Sequence, residues 1–404
     1  MAANQQRKFD IVLFGATGFT GGLVAEYLSH QDETVSWAIA GRSKEKLETV
    51  RNALGLKDLP LIVADSGDPS AMRELADSTR VICTTVGPYA LYGSELVKAC
   101  AEMGTHYCDL CGEVPWMAQL FAPLNAAAQQ SGARIVHCCG FDSIPSDLSV
   151  MVAQQTMYER HGVHARAIRG RMGRSKGTAS GGTVASMMNV MDQAKTDTSA
   201  RKAVRDPYSL YPPGAKPGPD RSDQMTPRWD DKFDSWTGPF VMAMINARIV
   251  RRSNALAGFP YGEDFQYDEA QLCKTRGRAV ILASALGAFF AAASFKPARG
   301  LLERFLPAPG EGPGPKARET GFFEFFAHAQ HPEDPEKDVR IKVFGKRDPG
   351  YGATSRMLAQ AALCLANDES PVGGGVWTPA TALGNNFVRR LAGVNVTFEA
   401  VDLA

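Results

Sequence analysis

Three glycines at a spacing of three, Gly15-Ala16-Thr17-Gly18-Phe19-Thr20-Gly21, stand between a short apolar run and a helical pattern, and few folds accommodate that arrangement. The run Phe9-Asp10-Ile11-Val12-Leu13-Phe14 has the length and content of a buried strand. From Thr20 to His30, Leu23, Val24, Tyr27 and Leu28 share one helical face. A glycine turn in this setting reverses the chain tightly, brings backbone N–H groups close to a ligand and lets the helix pack on its strand. The helix N-terminus adds partial positive charge, so the ligand favoured there is a pyrophosphate.

The alternation continues along the chain. Val35 to Ala40, Leu61 to Ala64, Val81 to Val86 and Arg134 to Cys138 read as strands. Lys44 to Leu54, Ser70 to Ala76, Gly93 to Met103 and Trp116 to Ser131 read as helices between them. Repeated βα units build a parallel sheet with helices on both faces, so the fold class predicted is α/β, with a doubly wound Rossmann domain over residues 1–150. From Arg166 the texture changes: Ala167 to Met172, Gly321 to Phe326 and Val339 to Phe344 alternate as strands of an antiparallel sheet covered on one face do. Residues 151–349 are therefore expected to form a second, α+β domain that holds the substrate. Arg205 to Gly238 and Pro307 to Pro315 are rich in Pro and Gly and read as exposed loops or lids.

Cofactor choice turns on the end of the second strand. NAD-specific turns place an acid there to hold the ribose 2′-hydroxyl, and this chain has Gly41-Arg42-Ser43-Lys44 instead. Arg42 with Ser43 suits a 2′-phosphate through charge-assisted hydrogen bonds, which selects NADP(H); the competing reading is a solvated helix start. The expected cofactor contacts are Gly15, Thr17, Gly18, Phe19, Thr20 and Gly21 in the turn, Arg42 and Ser43, then Asp65 after the third strand and Val86, Gly87 and Pro88 after the fourth. Asp65 either touches the adenine or caps the next helix.

Composition narrows the partners. Lys plus Arg (44) and Asp plus Glu (43) nearly cancel, so no long-range field favours nucleic acid or an anionic membrane. The N-terminal residues contain no apolar signal core, and the eight cysteines are scattered as free thiols, so a cytoplasmic location is expected. Cys108 and Cys111 form the one CxxC pair; with no second pair at zinc spacing, no metal site is expected.

Several blocks together carry a resemblance. The glycine turn, Ala40-Gly41-Arg42-Ser43, Val86-Gly87-Pro88-Tyr89, Tyr107-Cys108-Asp109-Leu110-Cys111-Gly112-Glu113 and Gly140-Phe141-Asp142-Ser143-Ile144-Pro145-Ser146-Asp147 resemble the saccharopine dehydrogenase-like oxidoreductases. Within that group the chain looks most like the trans-acting enoyl reductases of bacterial lipid and polyketide assembly. The resemblance continues through Ser180 to Met187, Asp348 to Thr354 and Gly374 to Ala380, and so covers nearly the whole chain. It implies NADPH as cofactor, reduction of a carbon–carbon double bond in a polyketide-type intermediate, and a C-terminal region, 350–404, that packs back on the Rossmann side. The family commonly has small or hydroxyl residues where this chain has Cys108 and Cys111, which argues against an essential role for the pair.

Hydride transfer asks the protein for orientation and for one group that delivers a proton. Tyr89, Tyr107, Glu113 and Asp142 all follow predicted strands on the side where open α/β sheets bind ligands. Tyr89 or Tyr107 is the expected donor, with Glu113 or Asp142 holding it; helix capping and aromatic packing are the plain alternatives for each. Ser180-Gly181-Gly182-Thr183 opens a helix whose N–H groups either receive a substrate oxygen or serve as an ordinary cap, and the Val184, Met187, Met188 and Met191 stripe reads as core. Ala279 to Phe295 is uncharged but diluted with Ala, Ser and Gly, so it reads as a buried or interfacial helix rather than a span. It is expected to wall the substrate cavity or to touch lipid at a membrane periphery.

Three functions stay open: an enoyl reductase for a small-molecule or carrier-borne acyl substrate, an imine reductase of amino-acid-derived substrates, and a catalytically idle NADP-binding scaffold at a lipid surface. An imine reductase needs an arginine-rich pocket for carboxylates, whereas greasy acyl chains need apolar walls. A homodimer is consistent with the sequence.

Overall fold

Six of the seven strands in the first sheet come from the first third of the chain. In the computed structural model, which describes residues 7–177, 181–295, 298–300 and 312–403, they are β1 (Phe9–Phe14), β2 (Trp37–Gly41), β3 (Leu61–Val63), β4 (Thr79–Thr84), β5 (His106–Cys108) and β6 (Arg134–Val136). All pair in parallel, in the spatial order β3-β2-β1-β4-β5-β6. Both faces are buried: Ile11 and Leu13 enter one apolar core, Val12 and Phe14 the other. The order in which successive strands are added across the sheet reverses between β1 and β4, which opens a crevice beyond their carboxyl ends.

The remaining strands are β7 (Ala167–Lys176), β8 (Arg228–Asp230), β9 (Ser235–Gly238), β10 (Gln266–Cys273), β11 (Phe322–Gln330), β12 (Val339–Lys346), β13 (Gly375–Trp377) and β14 (Val396–Val401). Seven of these form the second sheet, in the order β14-β12-β11-β7-β10-β9-β8. The sheet is antiparallel except at β7–β10, which are parallel and meet in the middle. Two sequence expectations are corrected here: the sheet is mixed, and the segment from Arg205 to Gly238, read as a loop, carries β8 and β9. Trp229 and Trp236 face one another across that pair with ring centroids 5.7 Å apart, a cross-strand contact that holds strands this short.

Two helices tie the sheets together. Ile144–His161 leaves β6 with Ile144 and Leu148 in the Rossmann core, and further along it buries Val150, Ala153 and Met157 beneath the second sheet. Thr354–Asn367 follows a tight turn at Pro349–Ala353, where the Asp348 carboxylate accepts from the N–H groups of Tyr351 (2.8 Å) and Gly352 (3.3 Å). Leu358 and Leu363 of that helix share a core with Leu13 and Val136. Beyond it the chain serves both sheets, since β13 pairs with β6 and β14 pairs with β12.

Candidate active site

The glycine turn forms a cradle whose members are required for different reasons. Gly15 has φ +96°, and a Cβ there would meet Thr85 Oγ1 and Val86 Cγ2, each at 2.8 Å. A Cβ on Gly21 would overlap the Gly15 carbonyl oxygen. Those two positions are glycine because the chain packs on itself. Gly18 is extended, at φ −82° and ψ 164°, and its added Cβ would come no closer than 3.4 Å to any atom. The protein's own packing leaves room there, which is the arrangement a glycine bordering a ligand path requires. The Phe19–His30 helix starts with no side-chain cap and no acid in its first turn, leaving its positive end open toward that path.

The other expected cofactor residues divide. Arg42 is exposed just past β2 and makes no hydrogen bond or ion pair with any described residue. Ser43 caps the Lys44–Ala53 helix by accepting from Lys46 N–H at 3.3 Å. Asp65 closes a turn by accepting from Gly67 N–H at 2.9 Å, and the cap of the following helix is Asp68. Thr17 lies beside Gly41 at the end of β2. Phe19 turns its ring against Tyr351, 4.8 Å between centroids, so its side chain is a packing element. Val86 N–H donates to Thr84 Oγ1 at 3.2 Å; Thr20 and Gly87 line the crevice, and Pro88 leads into the short Tyr89–Tyr92 helix. A cradle filled by any Cβ, an open helix end and an unpaired guanidinium past β2 fit a dinucleotide with a 2′-phosphate.

Beyond the carboxyl ends of β4, β5 and β6 this crevice widens into a cavity of about 210 Å³. The Rossmann side contributes Thr85, Tyr89, Leu110 and Asp142, and the opposite wall Met187, Val190, Met242 and Ile245. No Lys, Arg or His is among the described residues lining it, and Asp142 is its one carboxyl. Burial raises the Asp142 carboxyl to about 6, and no described residue hydrogen-bonds to it. Its neighbours are pinned: Phe141 N–H donates to Thr354 Oγ1 at 3.1 Å, and Ser143 Oγ donates to Asn246 Oδ1 at 3.1 Å.

The other three catalytic candidates are differently engaged. Tyr89 lines the cavity, but its hydroxyl donates to the Thr84 carbonyl (3.3 Å) and accepts from Leu110 N–H (3.1 Å), while burial and Asp109 push its acidity down. Tyr107 does not reach the cavity. It lies within β5, so its side chain leaves the face of the sheet rather than its end, and its hydroxyl donates to Asp109 Oδ2 at 2.9 Å. Glu113 is buried and accepts from Tyr89 N–H (2.7 Å), Ala90 N–H (3.0 Å), Ser186 Oγ (2.8 Å) and Asn189 Nδ2 (3.4 Å). It caps one helix and clamps the Gly181–Thr196 helix to the Rossmann domain, which fixes a cavity wall.

Sequence reasoning missed Ser186, Asn189 and Thr354, whose partners lie at least 73 residues away. It also read the whole Met stripe as core; Val184 and Met188 are buried, but Met187 faces the cavity. Ser180 lies outside the described residues. Of the alternatives for the helix over Ala279 to Phe295, burial and a place in the cavity wall are corrected: it is largely exposed, and none of its residues is among those lining the cavity. Cys108 and Cys111 are buried thiols that burial pushes well above the ordinary range, which leaves them poor nucleophiles.

Comparison with known proteins matches this geometry. Residues 11–136 fit the family model of the saccharopine dehydrogenase NADP binding domain. The chain is 38% identical over 418 residues to a trans-acting enoyl reductase of Mycobacterium tuberculosis, covering 99% of each chain. It is 36% identical over 433 residues to one of Mycobacterium ulcerans, covering 99% of this chain and 100% of that one. Apo saccharopine dehydrogenase (L-Glu forming) of Saccharomyces cerevisiae shares the fold, with a TM-score of 0.54 at 13% identity over 98% of this chain and 100% of that one. Cradle, crevice and family model together define an NADP(H)-dependent oxidoreductase of the saccharopine dehydrogenase-like class. Within that class, the chain belongs to the family of trans-acting enoyl reductases.

Arg42 gives a first test of the cofactor reading. Arg42→Ala is expected to lower the preference for NADPH over NADH at least tenfold, about 1.4 kcal/mol, while leaving the melting temperature of the free protein unchanged. Fluorescence titration with both nucleotides measures it, and an unaltered preference would place the 2′-phosphate elsewhere.

Proposed function

We propose that the protein reduces the carbon–carbon double bond of an α,β-unsaturated acyl thioester, lipid-like or polyketide in character, free or borne on a carrier. The observation that carries this reading is the cavity wall: apolar side chains, one carboxyl, and no cation among the described lining residues. A saccharopine-type imine substrate brings carboxylates that need cationic partners, and that lining offers none.

When bound, NADPH supplies the hydride, which adds at the β-carbon. The chain's part is to exclude water, orient the acyl group and deliver a proton to the α-carbon. Asp142 suits the proton step, because desolvation keeps a fraction of it protonated near neutrality and no described residue hydrogen-bonds to its oxygens. The N-terminal turn of the Gly181–Thr196 helix borders the same cavity through Gly182 and Thr183; Gly181 N–H is held by the Tyr351 hydroxyl at 3.1 Å, and the Gly182 N–H suits the thioester oxygen, where charge builds during the reaction. Glu113 holds that helix in place. Tyr89 closes the floor.

An apolar wall makes chain length a specificity determinant. Lengthening a short enoyl thioester by two methylenes is expected to raise kcat/KM about tenfold, at about 0.8 kcal/mol per buried methylene, until the cavity is full. A flat dependence on chain length in NADPH-oxidation assays would contradict the acyl reading.

A further inference from the structure

The helix Arg276–Ser294 is the feature that the catalytic reading leaves unexplained. It is the one described helix long and apolar enough to cross a membrane by length and composition, yet only Ala279 and Ala293 are buried. One side rests on the protein: Ala279 and Leu282 pack over Gly238 of β9. The outward side carries Val280, Ile281, Ser284, Ala288 and Ala291, with Ile281 68% exposed. A surface helix ordinarily turns charged residues to water, and here the outer face has none between Arg278 and Ser294.

Its N-terminal flank is charged in one sense only. Lys274, Arg276 and Arg278 stand there, Arg299 beyond the other end is ion-paired to Asp192, and the sequence has no acid from Ala270 to Leu302. Beside the basic N-terminal end, Trp229 is 52% exposed and stacks edge-on to Trp236, over which the Arg276 guanidinium sits at 5.5 Å. An apolar face with cations and a half-exposed tryptophan at one end matches the depth profile of a bilayer surface: acyl chains, then an interface that favours indole, then anionic headgroups. A full crossing would drag β9 into hydrocarbon, since that strand packs on the helix.

We infer that the Arg276–Ser294 helix, with Trp229, Lys274, Arg276 and Arg278 at its N-terminal end, docks the protein flat on an anionic phospholipid membrane. The helix contacts the Gly181–Thr196 helix that walls the cavity, so docking would bring the cavity's apolar wall near the lipid. This inference stands on the surface alone and does not depend on the acyl-substrate reading, because its test reads binding rather than turnover.

The test is vesicle flotation of the full chain with phosphatidylcholine alone and with phosphatidylcholine mixed with phosphatidylglycerol. The expected result is binding to the anionic vesicles that weakens as salt is raised. Ile281→Glu and the double variant Lys274→Glu/Arg278→Glu should each bind at least tenfold more weakly. Their NADPH affinity and melting temperature should match those of the parent, as expected for exposed positions. Failure of the parent protein to float with anionic vesicles would overturn the inference, and so would undiminished binding by Ile281→Glu. Light scattering that shows a dimer of the parent and a monomer of Ile281→Glu would assign the face to a second copy and overturn it as well.

Discussion

Asp142→Asn is expected to lower kcat by about 10²- to 10⁴-fold, the contribution of a positioned proton donor, with NADPH affinity unchanged. The pH profile separates this from mere structural damage. With its carboxyl raised to about 6, Asp142 loses its proton as pH rises through that value, so kcat of the parent should fall about tenfold per unit at higher pH. The residual activity of Asp142→Asn should lack that limb. Stability should fall over the same rise in pH. Because the folded value lies above the roughly 3.9 of an unfolded aspartate, the native state holds the proton more tightly, and stability from this site is present below about pH 4 and lost as pH rises through 6. The asparagine variant should therefore be no less stable than the parent at pH 8. An active variant, or one with the parent's pH limb, would remove Asp142 from the proton step.

Gly18→Val is expected to abolish tight NADPH binding, raising Kd by about 100-fold or more, or roughly 2.7 kcal/mol. The free protein should melt as the parent does, because a Cβ at position 18 meets nothing closer than 3.4 Å. What disappears is the stabilisation that cofactor gives the parent, about 2.7 kcal/mol at a hundredfold excess over Kd. Gly21→Ala is the contrasting variant: its Cβ overlaps the Gly15 carbonyl, so it should lower the melting temperature even without cofactor. Scanning calorimetry with and without NADPH reads both, and normal NADPH binding by Gly18→Val would show that the pyrophosphate path lies elsewhere.

The two variants also show what a sequence makes legible. Most of the Rossmann half could be read because its longer strands and helices announce themselves locally, by an apolar run or a helical stripe, and the glycine turn fixes where the first pair meets; β5, three residues long, carries no such run. Strands β8, β9 and β13 carry no such signal. They have three or four residues each, and their pairing depends on partners that the local pattern does not identify. The same limit applies within the site. Asp142, Tyr89 and Tyr107 look alike as polar residues near strand ends, and only burial and hydrogen bonding distinguish an unengaged carboxyl from an engaged phenol. Glu113 could be suspected of a role, but its clamp on Ser186 and Asn189 joins segments 73 and 76 residues apart. The Arg276–Ser294 helix is apolar all round, and a pattern without a period does not reveal which side, if any, is buried.

The most direct test of the central claim follows hydrogen into product. The protein is supplied with NADPH deuterated at the transferable position, a long-chain trans-2-enoyl thioester and, in a parallel reaction, an amino-acid-derived imine, and the products are resolved by mass spectrometry. The account predicts a saturated thioester with one deuterium at its β-carbon, one NADPH consumed per double bond reduced, and no reduction of the imine. Reduction of the imine alone, or binding of NADPH with turnover of neither substrate, would contradict it.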